Sequence, residues 1–178
     1  MKFNNRIFLF SESAFFGIIK ENDKKGVSKM SKLLHVNMNA RDWKKLASFY
    51  EEVFGCVQVP PAKEITGDYA EELTGLHGAE IHGMTMAFPD DPDGVQLEIF
   101  EYNLRDDSAP GTINMTGIGH IAVDVEDIEE TTRRLLAAGG SYVGRQVHRT
   151  YADKPDLFIH YVKDCEGNII ELMDRKAE

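Results

Sequence analysis

Apolar residues along this chain recur at two spacings. Trp43, Leu46, Phe49, Tyr50 and Val53 fall three and four apart and form the stripe of a helix over about Asp42–Phe54. Ile128, Thr131, Leu135 and Ala138 repeat that spacing and predict a second helix over about Asp127–Ala138. Asp127, Glu129 and Glu130 occupy its first turn, Arg133 and Arg134 come later, and Gly139-Gly140 stops it, an order that suits the helix dipole. Elsewhere the period is two. Leu33–Asn39 and Gly119–Val125 read as short strands, followed in each half by strands at Ile81–Phe88 and Gly94–Tyr102, or Leu157–Lys163 and Asn168–Asp174. The segments 90–94 and 164–168, rich in Asp and Gly, are the turns before the closing strands.

These elements form an internal repeat. His35 and His120 each open a strand, and an aspartate (Asp42, Asp127) follows seven residues later. Gly55 and Gly140 each lie 20 residues after their histidine. The halves close on Gln96-Leu97-Glu98-Ile99-Phe100 and on Ile169-Ile170-Glu171-Leu172-Met173. From histidine to glutamate the distances are 63 and 51 residues, and the surplus falls in Pro60–Gly78, with helical character near Tyr69–Leu76. The expected domain runs over 33–175, with module one at about 33–104, module two at about 116–175 and Ala109-Pro110-Gly111 as the linker. Residues 1–32 hold short apolar bursts and then a charged tail, and read as an N-terminal extension without a secretory signal.

Composition narrows the class. Of 178 residues, 30 are acidic and 20 basic, a formal net charge of −10 that argues against nucleic acid as a partner. No apolar run approaches the roughly 20 residues that span a bilayer, so no membrane partner is expected. The two cysteines, Cys56 and Cys165, lie far apart and fit a reducing cytoplasm.

The repeat points to chemistry. Two histidines and two glutamates in matched positions suit nickel, cobalt, zinc, iron or manganese. Strand alternation adds a test: Leu97 and Ile99, or Ile170 and Leu172, can face a core while Glu98 and Glu171 point the other way. A glutamate among core aliphatics is costly unless its carboxylate has a partner. Any one of these residues alone would be an ordinary surface side chain.

Specific segments carry a family resemblance: Leu34-His35-Val36, 49–55, 97–101, Gly119-His120-Ile121-Ala122-Val123 and 162–172. With them the chain resembles the vicinal oxygen chelate superfamily, which includes glyoxalase I, methylmalonyl-CoA epimerase, extradiol dioxygenases, and fosfomycin- and bleomycin-resistance proteins. The resemblance implies an α+β fold of two βαβββ modules whose sheets curl around a metal cleft. It implies one divalent metal ion held by His35, Glu98, His120 and Glu171, either within one chain or between the chains of a homodimer. It implies a lyase or isomerase of the glyoxalase I type. Such an enzyme moves a proton next to a metal-bound carbonyl or enediolate, with Glu171 as ligand and base and Glu98 as its symmetry mate. A small-molecule substrate is expected, a thiol adduct or an acyl thioester.

Alternatives stay open at this point: an epimerase using a further carboxylate such as Glu80, or His82, as base; an extradiol dioxygenase; a non-catalytic drug-binding protein. Glyoxalase I relatives carry an arginine and an asparagine where this chain has Asn39 and Tyr102, which leaves glutathione open. The segment Gly144–Lys154 carries Arg145 and Arg149 and reads either as a basic loop over the cleft, binding an anionic substrate, or as a solvated surface loop. Met84, Met86 and Phe88 share a strand face and serve either the pocket or the core.

Overall fold

The computed structural model describes residues 32–106, 111–114 and 116–176. The chain divides into a unit over Met1–Leu33 and one over Leu34–Glu178. The expected extension, apart from its last residue, and most of the expected linker lie outside the described residues.

The repeat of the sequence is a repeat of the fold. Module one runs β1 (His35–Asn39), α1 (Trp43–Phe54), β2 (Val57–Ile65), α2 (Gly67–Thr74), β3 (Ile81–Ala87) and β4 (Gln96–Tyr102). Its sheet has the order β1-β4-β3-β2, with β1 parallel to β4 and the remaining pairs antiparallel. Module two runs β5 (Ile121–Asp124), α3 (Ile128–Ala137), β6 (Ser141–Tyr142), β7 (Val147–Arg149), β8 (Asp156–Lys163) and β9 (Ile169–Lys176). Its sheet has the order β5-β9-β8-β6, β7 also pairs with β8, and β5 is parallel to β9.

Both long helices start on the aspartates that the repeat marks. The Asp42 carboxylate accepts from the Lys45 N–H at 3.0 Å, and Asp127 accepts from Glu129 and Glu130 at 3.0 and 2.9 Å. Gly55, at φ +70°, ends α1 in the left-handed conformation that a side chain would strain. The Ile128 N–H at the head of α3 donates to the buried Asp174 carboxylate at 3.1 Å, which fixes that helix to β9.

The helices bury their apolar stripes in one core shared by both modules. Leu46, Phe49, Tyr50 and Val53 of α1 and Ile128 and Leu135 of α3 join Leu97, Ile99, Ile170 and Leu172 from the closing strands. Met84 and Met86 belong to this core as well, so they pack under α1 rather than line a site. A polar joint lies inside it. Tyr50, fully buried, donates to Asp164 Oδ2 at 3.3 Å across the two modules. Asp164 also accepts the Glu166 and Asn168 N–H groups, each at 2.9 Å, and the Asn168 amide at 2.8 Å, which folds the turn before β9. Burial raises the carboxyl pKa of Asp164 against the pull of those bonds, and burial first and Asp164 second hold the Tyr50 phenol well above its ordinary value. On the surface Arg41 meets Glu166 at 3.0 Å, a second tie between modules.

Sequence reading missed three strands. The strand β2 begins at Val57 and runs into the stretch assigned to a surplus insertion; it is an edge strand whose pairing to β3 is interrupted between Val59 and Lys63, where Pro60 and Pro61 stand. Prolines lack the N–H of a ladder and are tolerated at an edge. Ser141–Tyr142 is a two-residue strand, and part of the segment read as a basic loop is the strand β7.

Replacing Tyr50 with Phe keeps the packed ring and removes the donor to a buried carboxylate. The expected loss is about 1–3 kcal/mol in urea unfolding. A variant as stable as the parent would remove this bond from the joint between modules.

Candidate metal centre

β1 runs beside β4, and β5 beside β9, in the same parallel sense, so each histidine stands near its own module's glutamate. His35 Nε2 lies 3.2 Å from Glu98 Oε2, and His120 Nε2 lies 3.2 Å from Glu171 Oε2. The histidine side chains are 48% and 34% exposed and the glutamates 17% and 15%. The two modules, packed on one shared core, thus reproduce one geometry. A distance of 3.2 Å is that of an ion pair. It also matches two donors on neighbouring corners of an octahedral ion, which at about 2.1 Å from the metal stand ~3.0 Å apart. Imidazole nitrogen with carboxylate oxygen is a donor set suited to the divalent first-row metals, so each pair fits half of a site.

The structure does not bring the pairs to each other. Among the described residues no group of three or more His, Cys, Asp or Glu side chains stands close enough to hold one ion. The reason lies in the packing. Leu97 and Ile99, Ile170 and Leu172 face the shared core, so Glu98 and Glu171, on the alternate positions, face away from it.

Other candidates divide by the same parity. Arg149 stands opposite Leu157 in the β7–β8 ladder, on the sheet face of Tyr161 and Glu171. Arg145 is exposed in the irregular segment before β7. His82 stands opposite Glu101, on the face turned from Glu98, and Glu80 is exposed ahead of β3 with its N–H bonded to Asn103 Oδ1 at 2.8 Å. Neither is placed as a base beside Glu98. Asn103 is engaged locally, donating to the Gly78 carbonyl at 2.9 Å. Burial pushes the Cys56 thiol up to about 12 and Cys165 up to about 11, so both are neutral thiols at physiological pH.

A cavity of about 600 Å³ continues the Glu98 face toward the end of β4. Phe100, Tyr102 and Ile81 form its apolar floor, Leu73 of α2 and Leu76 just beyond that helix its wall, and Asn39, Arg41, Arg105 and, from module two, Glu166 its polar rim. Gly83 makes this floor possible: a Cβ there would lie 2.7 Å from the Phe100 ring and closer still to the Ile99 carbonyl. Sequence reading missed Tyr161. It stands directly opposite Glu171 and its ring meets His120 edge-on, with centroids 5.1 Å apart. Only the β8–β9 register, which no sequence motif announces, reveals it.

Comparison with known proteins agrees with this architecture. Residues 32–172 match the family model described as the Glyoxalase/Bleomycin resistance protein/Dioxygenase superfamily. A probable lactoylglutathione lyase of Vibrio parahaemolyticus is 27% identical over 151 residues, covering 82% of this chain and 91% of that protein. A crystal structure of a glyoxalase family protein from Bacillus cereus superposes with a TM-score of 0.71 at 24% identity, over 85% of this chain and 99% of that one. Glyoxalase I from Zea mays gives a TM-score of 0.57 at 18% identity, over 82% of this chain and 45% of that chain. The fosfomycin resistance protein FosX from Listeria monocytogenes, solved as a variant complexed with Mn(II), gives 0.51 at 15% identity, over 84% and 94%. With the two-module sheets and the family match in agreement, the chain belongs to the glyoxalase/bleomycin resistance protein/dioxygenase superfamily.

Proposed function

We propose that this protein is a divalent-metal-dependent lyase or isomerase that moves a proton next to a substrate carbonyl. Its site is completed between two copies of the chain. His35 and Glu98 of one protomer act with His120 and Glu171 of the other. The observation that carries the reading is the pair of identical histidine–glutamate half-sites, each 3.2 Å across and each facing away from the core of its own chain. Four ligands in two exposed halves are met most simply by a second copy. The family, and a relative named as a probable lactoylglutathione lyase, support the reaction class.

A bound divalent cation supplies Lewis-acid polarisation of the carbonyl, which acidifies the adjacent C–H. The chain's own groups do the rest. His35, His120 and Glu98 hold position as donors, and Glu171 takes a proton from one carbon and, after exchange with solvent, delivers one to its neighbour. The apolar floor of Phe100, Tyr102 and Ile81, along the strand face of Glu98, suits the carbon skeleton of a thiol adduct or acyl thioester. Arg149, on the Glu171 face, is placed to meet an anionic part of that substrate.

Two tests follow. One variant loses the first half-site (His35→Ala with Glu98→Ala), the other loses the second (His120→Ala with Glu171→Ala). Each alone should purify folded and without stoichiometric metal. Co-expressed with different tags and isolated as mixed dimers, they should regain one intact site per dimer, measured by metal analysis. No recovery in a mixed dimer would rule out a site shared between chains.

Glu171→Gln keeps the shape of the ligand and cannot accept a proton at neutral pH. Turnover of a hemithioacetal or of a chiral acyl thioester should fall at least about a hundredfold with metal retained. Solvent deuterium should enter the product of the parent enzyme. Near-parent turnover by the metal-loaded variant would remove Glu171 from the proton transfer.

A further inference from the structure

The two half-sites are alike in span and exposure, so the ligands alone do not distinguish Glu98 from Glu171. The residues facing them across the ladder do. β3 sets Thr85 opposite Glu98, and β8 sets Tyr161 opposite Glu171. Directly opposed residues of an antiparallel pair share a face, with Cβ atoms about 4.5–5.5 Å apart. Thr85 is buried and short. Tyr161 is partly exposed, and its ring packs edge-on against His120 at 5.1 Å and 69°. The phenol therefore stands against both members of the second pair, a contact that a threonine cannot supply to the first. This is the place where the internal symmetry of the site breaks.

We propose that Tyr161 is a positioning residue for Glu171, its hydroxyl donating a hydrogen bond to one carboxylate oxygen and leaving the other directed at the substrate. This rests on the reading of Glu171 as ligand and base. A phenol hydroxyl both donates and accepts, whereas an ionised carboxylate only accepts, so in this pair Tyr161 is the donor. In the transfer a substrate C–H bond breaks, its electron pair moves into the adjacent carbonyl, and the proton forms an O–H bond on the free oxygen of Glu171. Glu171, after exchange with solvent, then delivers a proton to the neighbouring carbon while the substrate hydroxyl proton passes to the former carbonyl oxygen and a new carbonyl forms, and Tyr161 keeps its own proton throughout. Its contribution is geometric: a carboxylate fixed through one oxygen presents the other in a constant direction. Module one then contributes ligands, and module two contributes ligands and the base.

The test compares Tyr161→Phe, which keeps the ring against His120, with Thr85→Val at the matching place in module one. Cobalt(II) serves as the probe, by chelator competition and visible absorption on the full chain. Loss of a hydrogen bond to a ligating carboxylate should weaken cobalt binding about 10–100-fold and shift its absorption bands in Tyr161→Phe. Thr85→Val should bind like the parent. With the methylglyoxal–glutathione hemithioacetal or a chiral acyl thioester, Tyr161→Phe should lower kcat by a similar factor and leave KM in place. Parent-like cobalt affinity and spectrum in a folded Tyr161→Phe protein would overturn the proposal, as would an equal effect in Thr85→Val. A parent protein that binds cobalt but turns over neither substrate would defeat the proposed reaction, and a Tyr161-specific cobalt effect would still uphold the positioning role. A parent protein without a cobalt site would overturn both.

Discussion

The alternation of side chains along two closing strands is the constraint on which the rest of this structure depends. Glu98 stands between Leu97 and Ile99, and Glu171 between Ile170 and Leu172, four aliphatics that are almost completely buried. A register slip of one residue in either strand would turn a carboxylate into the core and two aliphatics into water. The energy that holds the ligand face outward is therefore the hydrophobic energy of its neighbours. Full burial of each such side chain contributes about 1.5–3 kcal/mol, and no bond to the glutamate itself is needed to fix its direction. The same economy places Arg149 and Tyr161 on the Glu171 face and turns His82 away from the Glu98 face.

The helices decide what the two ligand faces can do together. α1 and α3 carry their apolar stripes into one core, and Tyr50 reaches through it to Asp164. A buried carboxylate with four donors is sensitive to its surroundings, because each lost partner leaves an acceptor away from water. Asp164 thus couples the turn before β9, and through it the strand that bears Glu171, to the helix of the other module. Packing the modules helix side to helix side stabilises each chain and leaves both half-sites facing outward. The joint that makes one chain stable is also the reason that its two histidine–glutamate pairs stand in two places.

Much of this was legible in the sequence. Apolar spacing marked both long helices to within a residue, since the caps Asp42 and Asp127 and the stop at Gly55 are local chemistry. The repeat located the histidine–glutamate pairs, and strand parity gave the face of each glutamate. What was not legible depended on partners distant in the chain. β2 carries Pro60-Pro61 and alternates poorly because it is an edge strand with both faces largely exposed, so it left no period-two signal. Met84 and Met86 were ambiguous until α1 was seen to cover them. Tyr161 carries no motif at all; its place opposite Glu171 is a property of the register between β8 and β9. That the ligands meet two by two and not four together is a property of module packing, which a ligand pattern does not encode.

A duplicated module explains more of the ligands than of the chemistry. Duplication gives both halves a histidine at a strand start and a glutamate between aliphatics, and the structure returns the same 3.2 Å in each. A site of fully equivalent halves has no reason to use one carboxylate as a base in preference to the other. Direction must come from positions where the halves have diverged. In module one these are the helix α2 and the apolar floor built over Gly83, which shape a cavity further along the face of Glu98, toward the end of β4. In module two they are the phenol across from Glu171 and the arginine further along its face. The first set shapes space for a carbon skeleton and the second sets polar groups beside a carboxylate. On the proposed function, a substrate bridging the two would be held beside the first set and acted on beside the second, so any preference for one carboxylate has to come from the departures from the repeat.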